Sequence, residues 1–242
     1  PTASPTTAPV TSSPKPVPAL IIPKNNAISI SAGNDYTVAL KEDGTVVAWG
    51  RNDRGQCHVP ADLCNVKSIS TGGYHTLALK EDGTLDAWGL SSNCQCIIPP
   101  HLGYVKAVSA GVKHSVVLEE DGTAIDWGLK ILSSQSTVPE DLINVKAISG
   151  GYDHSLALRE DGTVVAWGKN DYGECNVPLG LSNVVAISAG PWYNVALKND
   201  GTVVAWGKND KGQCDVPVNL TNVAAISAGE FHSLALKEDG TV

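Results

Sequence analysis

Positive charge is scarce in this chain: 17 Lys and Arg stand against 25 Asp and Glu, a formal net charge of −8 over 242 residues. A nucleic-acid partner is therefore not expected, because phosphates are gripped by clusters of Lys and Arg and none occurs here. No apolar run approaches the ~20 residues that span a bilayer, so membrane insertion is not expected either. The six cysteines include no Cys-x-x-Cys pair, which removes the usual zinc spacing. Methionine is absent altogether, even from position 1. The lack of a visible signal peptide thus carries little weight, and the sequence reads as a piece of a longer polypeptide.

What the chain does contain is a ruler. Asp-Gly recurs at Asp43, Asp82, Asp121, Asp161, Asp200 and Asp239, a period of about 39–40 residues. Overlaying the copies yields one unit, seen in full from Ile148 to Gly168 and closed by Cys175-Asn-Val-Pro178. Five units are complete, and a sixth, beginning near Val223, is cut short at Val242. Because its last strand has no counterpart ahead of Ile28, the repeat array is expected to be an incomplete ring and the natural protein to continue beyond Val242.

Each unit reads as four short strands. The first centres on the column Ile30, Ile69, Val108, Ile148, Ile187 and Ile226; the second carries Leu40, Leu79, Leu118, Leu158, Leu197 and Leu236 with the alternation of a strand. Asp-Gly-Thr then signals a hairpin. The third strand ends at Trp49, Trp88, Trp127, Trp167 and Trp206, and the fourth closes at Pro60, Pro99, Pro139, Pro178 and Pro217, where proline suits an outer edge. Four antiparallel strands in about 39 residues make one propeller blade, and the expected fold is an all-β propeller over residues 27–242. A β-solenoid is the rival, but it usually has shorter coils and no hairpin in every repeat. Residues 1–26 differ in kind: their Pro, Thr and Ser favour an extended linker of the sort found between modules of secreted or surface proteins.

The segments Trp49-Gly-Arg-Asn-Asp-Arg-Gly-Gln56, Trp167-Gly-Lys-Asn-Asp-Tyr-Gly-Glu174 and Trp206-Gly-Lys-Asn-Asp-Lys-Gly-Gln213, with Ser-Ala-Gly ahead of the His column, resemble the repeat of the regulator of chromosome condensation family. The short units and the Cys-x-Val-Pro ending are most similar to bacterial members, among them a secreted propeller that inhibits β-lactamases. The resemblance implies a propeller and, for members of that kind, a loop face that grips a partner protein. It does not name the partner. The nucleotide exchange and ultraviolet sensing known in other members do not carry over, since this chain shows neither a basic tail nor a tryptophan cluster legible in sequence.

Catalysis is hard to assemble. His75, His114, His154 and His232 share a column with Tyr36 and Tyr193, and a catalytic base needs no such multiplication; a hydrogen-bonded residue closing each blade accounts for them. Asp86 and Asp126 interrupt the apolar pattern of their strands but fall in different columns and so on opposite faces. Cys57, Cys96, Cys175 and Cys214 form another column, too far apart for disulfides and best read as small buried side chains. Cys94 and Cys96 are read as lying on opposite faces of one strand. The Asn-Asp-x-Gly loops lack the alternating oxygens of calcium loops, and turn chemistry suffices for them. No cofactor, metal or enzymatic activity is expected.

Variation concentrates just ahead of the His column, where the copies read Asn34-Asp35, Gly73-Tyr74, Val112-Lys113, Tyr152-Asp153, Pro191-Trp192 and Glu230-Phe231. These positions lie in the loop between strands one and two. The loop between strands three and four emerges on the same face. One rim thus carries Tyr74, Tyr152, Trp192 and Phe231 among Asp35, Lys113, Asp153 and Glu230, and large aromatics on variable loops are common anchors of protein recognition. Units two and three also depart from the common third loop, which brings Leu90, Ile131 and Leu132 to the same rim, by selection or by drift. Two binding classes follow. The asymmetry of the loops favours one protein partner of unknown identity, whereas aromatic platforms beside carboxylates also suit carbohydrate.

Overall fold

The structure, a computed structural model, describes residues 26–128 and 137–242. The expected linker, Asn26 apart, and the rim candidates Ile131 and Leu132 lie outside the described residues. No helix occurs among the described residues.

The units fold in sequence order. Unit one contains β1 (Ala27–Ala32), β2 (Tyr36–Lys41) and β3 (Val46–Gly50); unit two, β4 (Val66–Thr71), β5 (His75–Lys80) and β6 (Leu85–Gly89); unit three, β7 (Val105–Ala110), β8 (His114–Glu119) and β9 (Ala124–Gly128). Unit four contains β10 (Val145–Gly150), β11 (His154–Arg159) and β12 (Val164–Gly168); unit five, β13 (Val184–Ala189), β14 (Tyr193–Lys198) and β15 (Val203–Gly207); unit six, β16 (Val223–Ala228) and β17 (Ser233–Lys237). Every unit is its own antiparallel sheet in chain order, and the same register returns in each: Ser155 faces Trp167 as Asn194 faces Trp206.

Three strands form where the sequence predicts four. At four of the five prolines the chain turns back on itself instead of joining a ladder: the Pro60, Pro139, Pro178 and Pro217 carbonyls accept the N–H of Leu63, Leu142, Leu181 and Leu220 at 3.0–3.2 Å. With its acceptors engaged locally and no donor on the proline, this stretch turns rather than pairs.

The recurring hairpin is a type I turn closed by glycine. Gly44 N donates to Lys41 O at 3.0 Å and Gly44 alone takes positive φ, at 77°. Asp43 serves the turn in another way, since its Oδ1 accepts both the main-chain N–H and the hydroxyl of Thr45, at 2.9 and 2.6 Å. The same double bond ties Asp82, Asp161, Asp200 and Asp239 to their threonines, which is why the triplet Asp-Gly-Thr recurs whole. The turn glycine also reaches onward, since the Gly162 carbonyl accepts Val184 N of the next unit at 3.0 Å.

The core lies between units. Leu77 and Leu79 point forward to pack with Val105, Val117 and Trp127 of unit three, while Ala78 of the same strand points back to Val38, Leu40 and Tyr36 of unit one. Strand alternation thus divides each middle strand into a large forward face and a small backward face. Fully burying one such leucine contributes roughly 1.5–3 kcal/mol, and Leu40, Leu77, Leu79, Leu118, Leu156 and Leu158 are all completely buried. The strand-three tryptophan belongs to the backward face, so Trp88, Trp127, Trp167 and Trp206 are covered by the preceding unit whereas Trp49 is half exposed.

Candidate functional site

Three sets of hydrogen bonds fix each unit to the next, and they account for most of the recurring polar residues. Ser31, Ser70, Ser109, Ser149 and Ser188 each accept, through Oγ, a main-chain N–H of the following unit at 2.9–3.0 Å. The His column makes the second set. His75 Nε2 meets Ser115 Oγ at 2.9 Å, and because that hydroxyl donates to the Gln95 carbonyl, the histidine carries its proton on Nε2. His154 meets Asn194 Oδ1 at 2.8 Å in the same way, and Tyr36 and Tyr193 donate to the carbonyls of His75 and His232. The column therefore closes the joint between blades, where the sequence suggests closure within one. The third set runs from tryptophan: Trp88, Trp127 and Trp206 donate to the carbonyls of Gln56, Gln95 and Glu174 at 3.0 Å.

Burial keeps two of these histidines neutral. His75 and His154 have their pKa values pushed down to about 3 and about 4, chiefly by desolvation. The cysteine thiols donate to carbonyls six residues back, as Cys175 Sγ does to Lys169 O at 3.2 Å, and burial pushes Cys96 and Cys214 up to about 11 and Cys175 to about 12. Asn52, Asn170 and Asn209 accept the N–H of Cys57, Cys175 and Cys214, so the Asn-Asp-x-Gly loop is tied by its own residues. Cys94 is not on a strand: it is exposed, at φ 62°, where Gly55, Gly173 and Gly212 take the same conformation in other units. Asp86 forms an ion pair with Lys80 at 3.0 Å. Among the described residues no three His, Cys, Asp or Glu side chains converge as a metal site would require.

The rim is held by its own backbone. In four units the residue after Trp-Gly donates to the carbonyl of the variable pair of its own unit: Arg51 to Asp35, Leu90 to Tyr74, Lys169 to Asp153 and Lys208 to Trp192, at 2.7–2.9 Å. Neighbouring units are tied as well, through Val112 N to Gly151 O at 2.9 Å and Tyr152 N to Pro191 O at 3.1 Å. Variable side chains therefore project from a belt whose main chain is already ordered.

Those side chains meet. Lys113 Nζ lies 4.5 Å from the Tyr152 ring centroid, Tyr152 stacks on Trp192 at 5.4 Å and 19°, and Trp192 meets Phe231 at 6.3 Å and 32°. One band thus crosses units three to six. Asp153 stands 3.9 Å from Lys113, and Lys208 Nζ lies 4.8 Å from Trp192 and 4.9 Å from Tyr172. A separate group on units one and two joins Asp35 to Arg51 at 3.4 Å, with the guanidinium 5.8 Å from the Tyr74 ring. Leu90 is half buried beside Tyr74, whose carbonyl it binds. Phe231 and Tyr172 are exposed by nearly half of their surface.

Tyr172, Lys208 and Arg51 are partners that the sequence reading does not single out. Tyr172 fills the variable position of Asn-Asp-x-Gly, occupied by Arg54 and Lys211 in other copies, and that variation was the available signal. The loop cations are paired locally: Arg51 with Asp53, Lys169 with Asp171 and Lys208 with Asp210, at 2.8–3.5 Å.

Comparison with known proteins agrees with this architecture. The description "Regulator of chromosome condensation (RCC1) repeat" matches residues 27–56, 66–95, 145–174 and 184–213. The chain is 53% identical over 32 residues to the X-linked retinitis pigmentosa GTPase regulator homolog of Caenorhabditis elegans, and 54% identical over 35 residues to Protein pim1 of Schizosaccharomyces pombe. Those matches cover 13% and 14% of this chain but only 2% and 6% of the two relatives. Among solved structures it is similar to Prp20p from Saccharomyces cerevisiae, with a TM-score of 0.74 and 21% identity over 88% of this chain and 70% of that one. The ectodomain of the receptor kinase CR4 from Physcomitrella patens gives a TM-score of 0.75 and 20% identity over 91% of this chain and 60% of that one. At such identity the structural likeness concerns the fold, and together with the four matched repeats it establishes that this chain is a β-propeller protein of the regulator of chromosome condensation (RCC1) repeat family.

Proposed function

We propose that the chain is a non-catalytic protein-interaction module that binds a partner protein through the aromatic band on its loop rim, as part of a secreted or cell-surface protein. The observation that carries the reading is the unbroken contact from Lys113 through Tyr152 and Trp192 to Phe231, built from residue pairs of which no two units carry the same. A belt already tied by main-chain hydrogen bonds loses little entropy on binding, and partly exposed aromatic rings bury area with few rotors to freeze. The solved structure of Prp20p is described together with its binding to Gsp1p and histones, and a further structure shows Kap60 bound to yeast Prp20; both support a protein partner for this fold. The secreted or surface setting rests on the Pro, Thr and Ser content of residues 1–26.

The same contacts weigh against a sugar platform. Stacking on a sugar needs a free ring face, whereas Tyr152 is flanked by Lys113 and Trp192, and Trp192 by Tyr152, Lys208 and Phe231. Capture from the native secretome should recover a protein that crosslinks to the rim of the wild-type chain, and Trp192→Ala together with Phe231→Ala should abolish that crosslink while leaving the melting temperature unchanged. Equal capture of every partner by the variant would sink the rim reading.

A further inference from the structure

In units one, four and five the cation after Trp-Gly meets a carboxylate two residues later: Arg51 with Asp53 at 2.8 Å, Lys169 with Asp171 at 2.9 Å and Lys208 with Asp210 at 3.5 Å. The Asn between them is engaged by the loop itself, accepting the N–H of Cys57, Cys175 or Cys214 at 2.8–2.9 Å, so its charged neighbours are left to each other. The other charges of the aromatic band follow the same rule. Lys113 faces Asp153 across the joint of units three and four at 3.9 Å, and Lys211 and Glu230 add one charge of each sign. Among the described residues of the band, cations and carboxylates therefore balance around Tyr152, Trp192 and Phe231, in a chain whose formal charge is −8. Two of the paired cations also lie on rings, Lys113 Nζ 4.5 Å from the Tyr152 centroid and Lys208 Nζ 4.8 Å from that of Trp192. An ammonium held by a carboxylate and a ring face has its charge answered on two sides.

Granted the rim as the binding surface, we propose that the band docks a partner protein through an apolar face without net charge, so that burial of the rings and not ion pairing carries recognition. A strongly charged partner gains little here, because each new ion pair breaks one already made, and an exposed pair is worth only about 0–1 kcal/mol. A neutral apolar face covers Phe231 and Tyr172, each nearly half exposed, and leaves the existing pairs in place as a polar margin. A lipid surface is the poorer fit, because Tyr152 and Trp192 lie stacked on each other and bounded by Lys113 and Lys208 instead of projecting singly.

A phage-displayed library of random peptides, selected on the wild-type chain and counter-selected on Trp192→Ala, tests the partner's chemistry. The surviving sequences should be rich in Leu, Phe and Trp and carry no excess of either charge. Their Kd should weaken by less than about threefold between about 0.01 M and about 1 M salt, over which the screening length falls from about 30 Å to about 3 Å. In the double variant Asp171→Asn, Asp210→Asn, which frees Lys169 and Lys208, the same selection should yield Asp- and Glu-rich sequences whose Kd weakens by about tenfold or more over that range. Acidic or basic sequences from the wild type, the same sequences from both proteins, or binding to phosphatidylcholine vesicles that Trp192→Ala abolishes would overturn the proposal. A selection that yields no Trp192-dependent sequence would remove the rim itself as a binding surface, and the proposal with it.

Discussion

His75 and His154 hold the same place in their units, each with Nε2 bonded to the next unit and Nδ1 buried without a partner. Gly72 leaves room for the first of these rings, for a Cβ there would collide with the Gly111 carbonyl and come within 2.9 Å of His75 Nδ1. A second proton on either ring would find no acceptor, and burial holds the two pKa values at about 3 and about 4. In the unfolded chain histidine titrates near 6.5, so between that pH and about 4 the unfolded state binds more protons than the folded one. The stability that these groups contribute is complete above pH 6.5 and is lost as the pH falls toward 4. Denaturant unfolding at pH 7 and pH 5 should therefore differ by up to about 2 kcal/mol per histidine. A flat profile over that window would mean that the rings are not held neutral. Cys94 gives a test of opposite sign: Cys94→Gly places glycine in a left-handed conformation that other units give to glycine, and should stabilise the protein by about 0.5–1 kcal/mol. Thermal melting of the two proteins checks it.

At the level of elements, the hairpin was the most legible feature and the last segment of each unit the least. Period-two alternation located β2, β5, β8, β11 and β14, because one face of each meets large side chains and the other small ones. In sequence the Val-Pro segments resemble a fourth strand, since an apolar residue before proline fits an edge; local bonds from Leu63, Leu181 and Leu220 to the proline carbonyls decide against it. Cys94 resembles a strand residue for a related reason, since a cysteine gives no sign of the positive φ that a glycine in its place would announce. Gly162→Val tests the hairpin directly. At φ 79°, with a Cβ only 3.1 Å from Asn183 of the next unit, valine should strain both the turn and the joint and lower stability by about 2 kcal/mol or more. An unchanged melting temperature would mean that the turn tolerates a β-branched residue and is not built as described.

Across the whole molecule, regularity and variation occupy different places. Serine, histidine and tryptophan recur because each bonds to a neighbouring unit, and their recurrence made the propeller legible from the period alone. The rim was legible as a set of positions but not as a band: nothing in the spacing states that Tyr152 lies on Trp192, or that Lys208 reaches across to Tyr172, because these contacts arise from stacking one unit on the next. The opposite face carries the Asp-Gly-Thr turns, whose aspartates have their pKa values lowered mainly by bonds to the following threonines at Asp82, Asp161 and Asp239, consistent with a structural duty. That contrast between the faces is most directly tested by titrating the captured partner against wild type, Trp192→Ala and Glu160→Ala under one set of conditions. The expected result is a loss of affinity of tenfold or more, about 1.4 kcal/mol, for Trp192→Ala and no change for Glu160→Ala on the turn face; unchanged affinity for Trp192→Ala with a loss for Glu160→Ala would contradict the account.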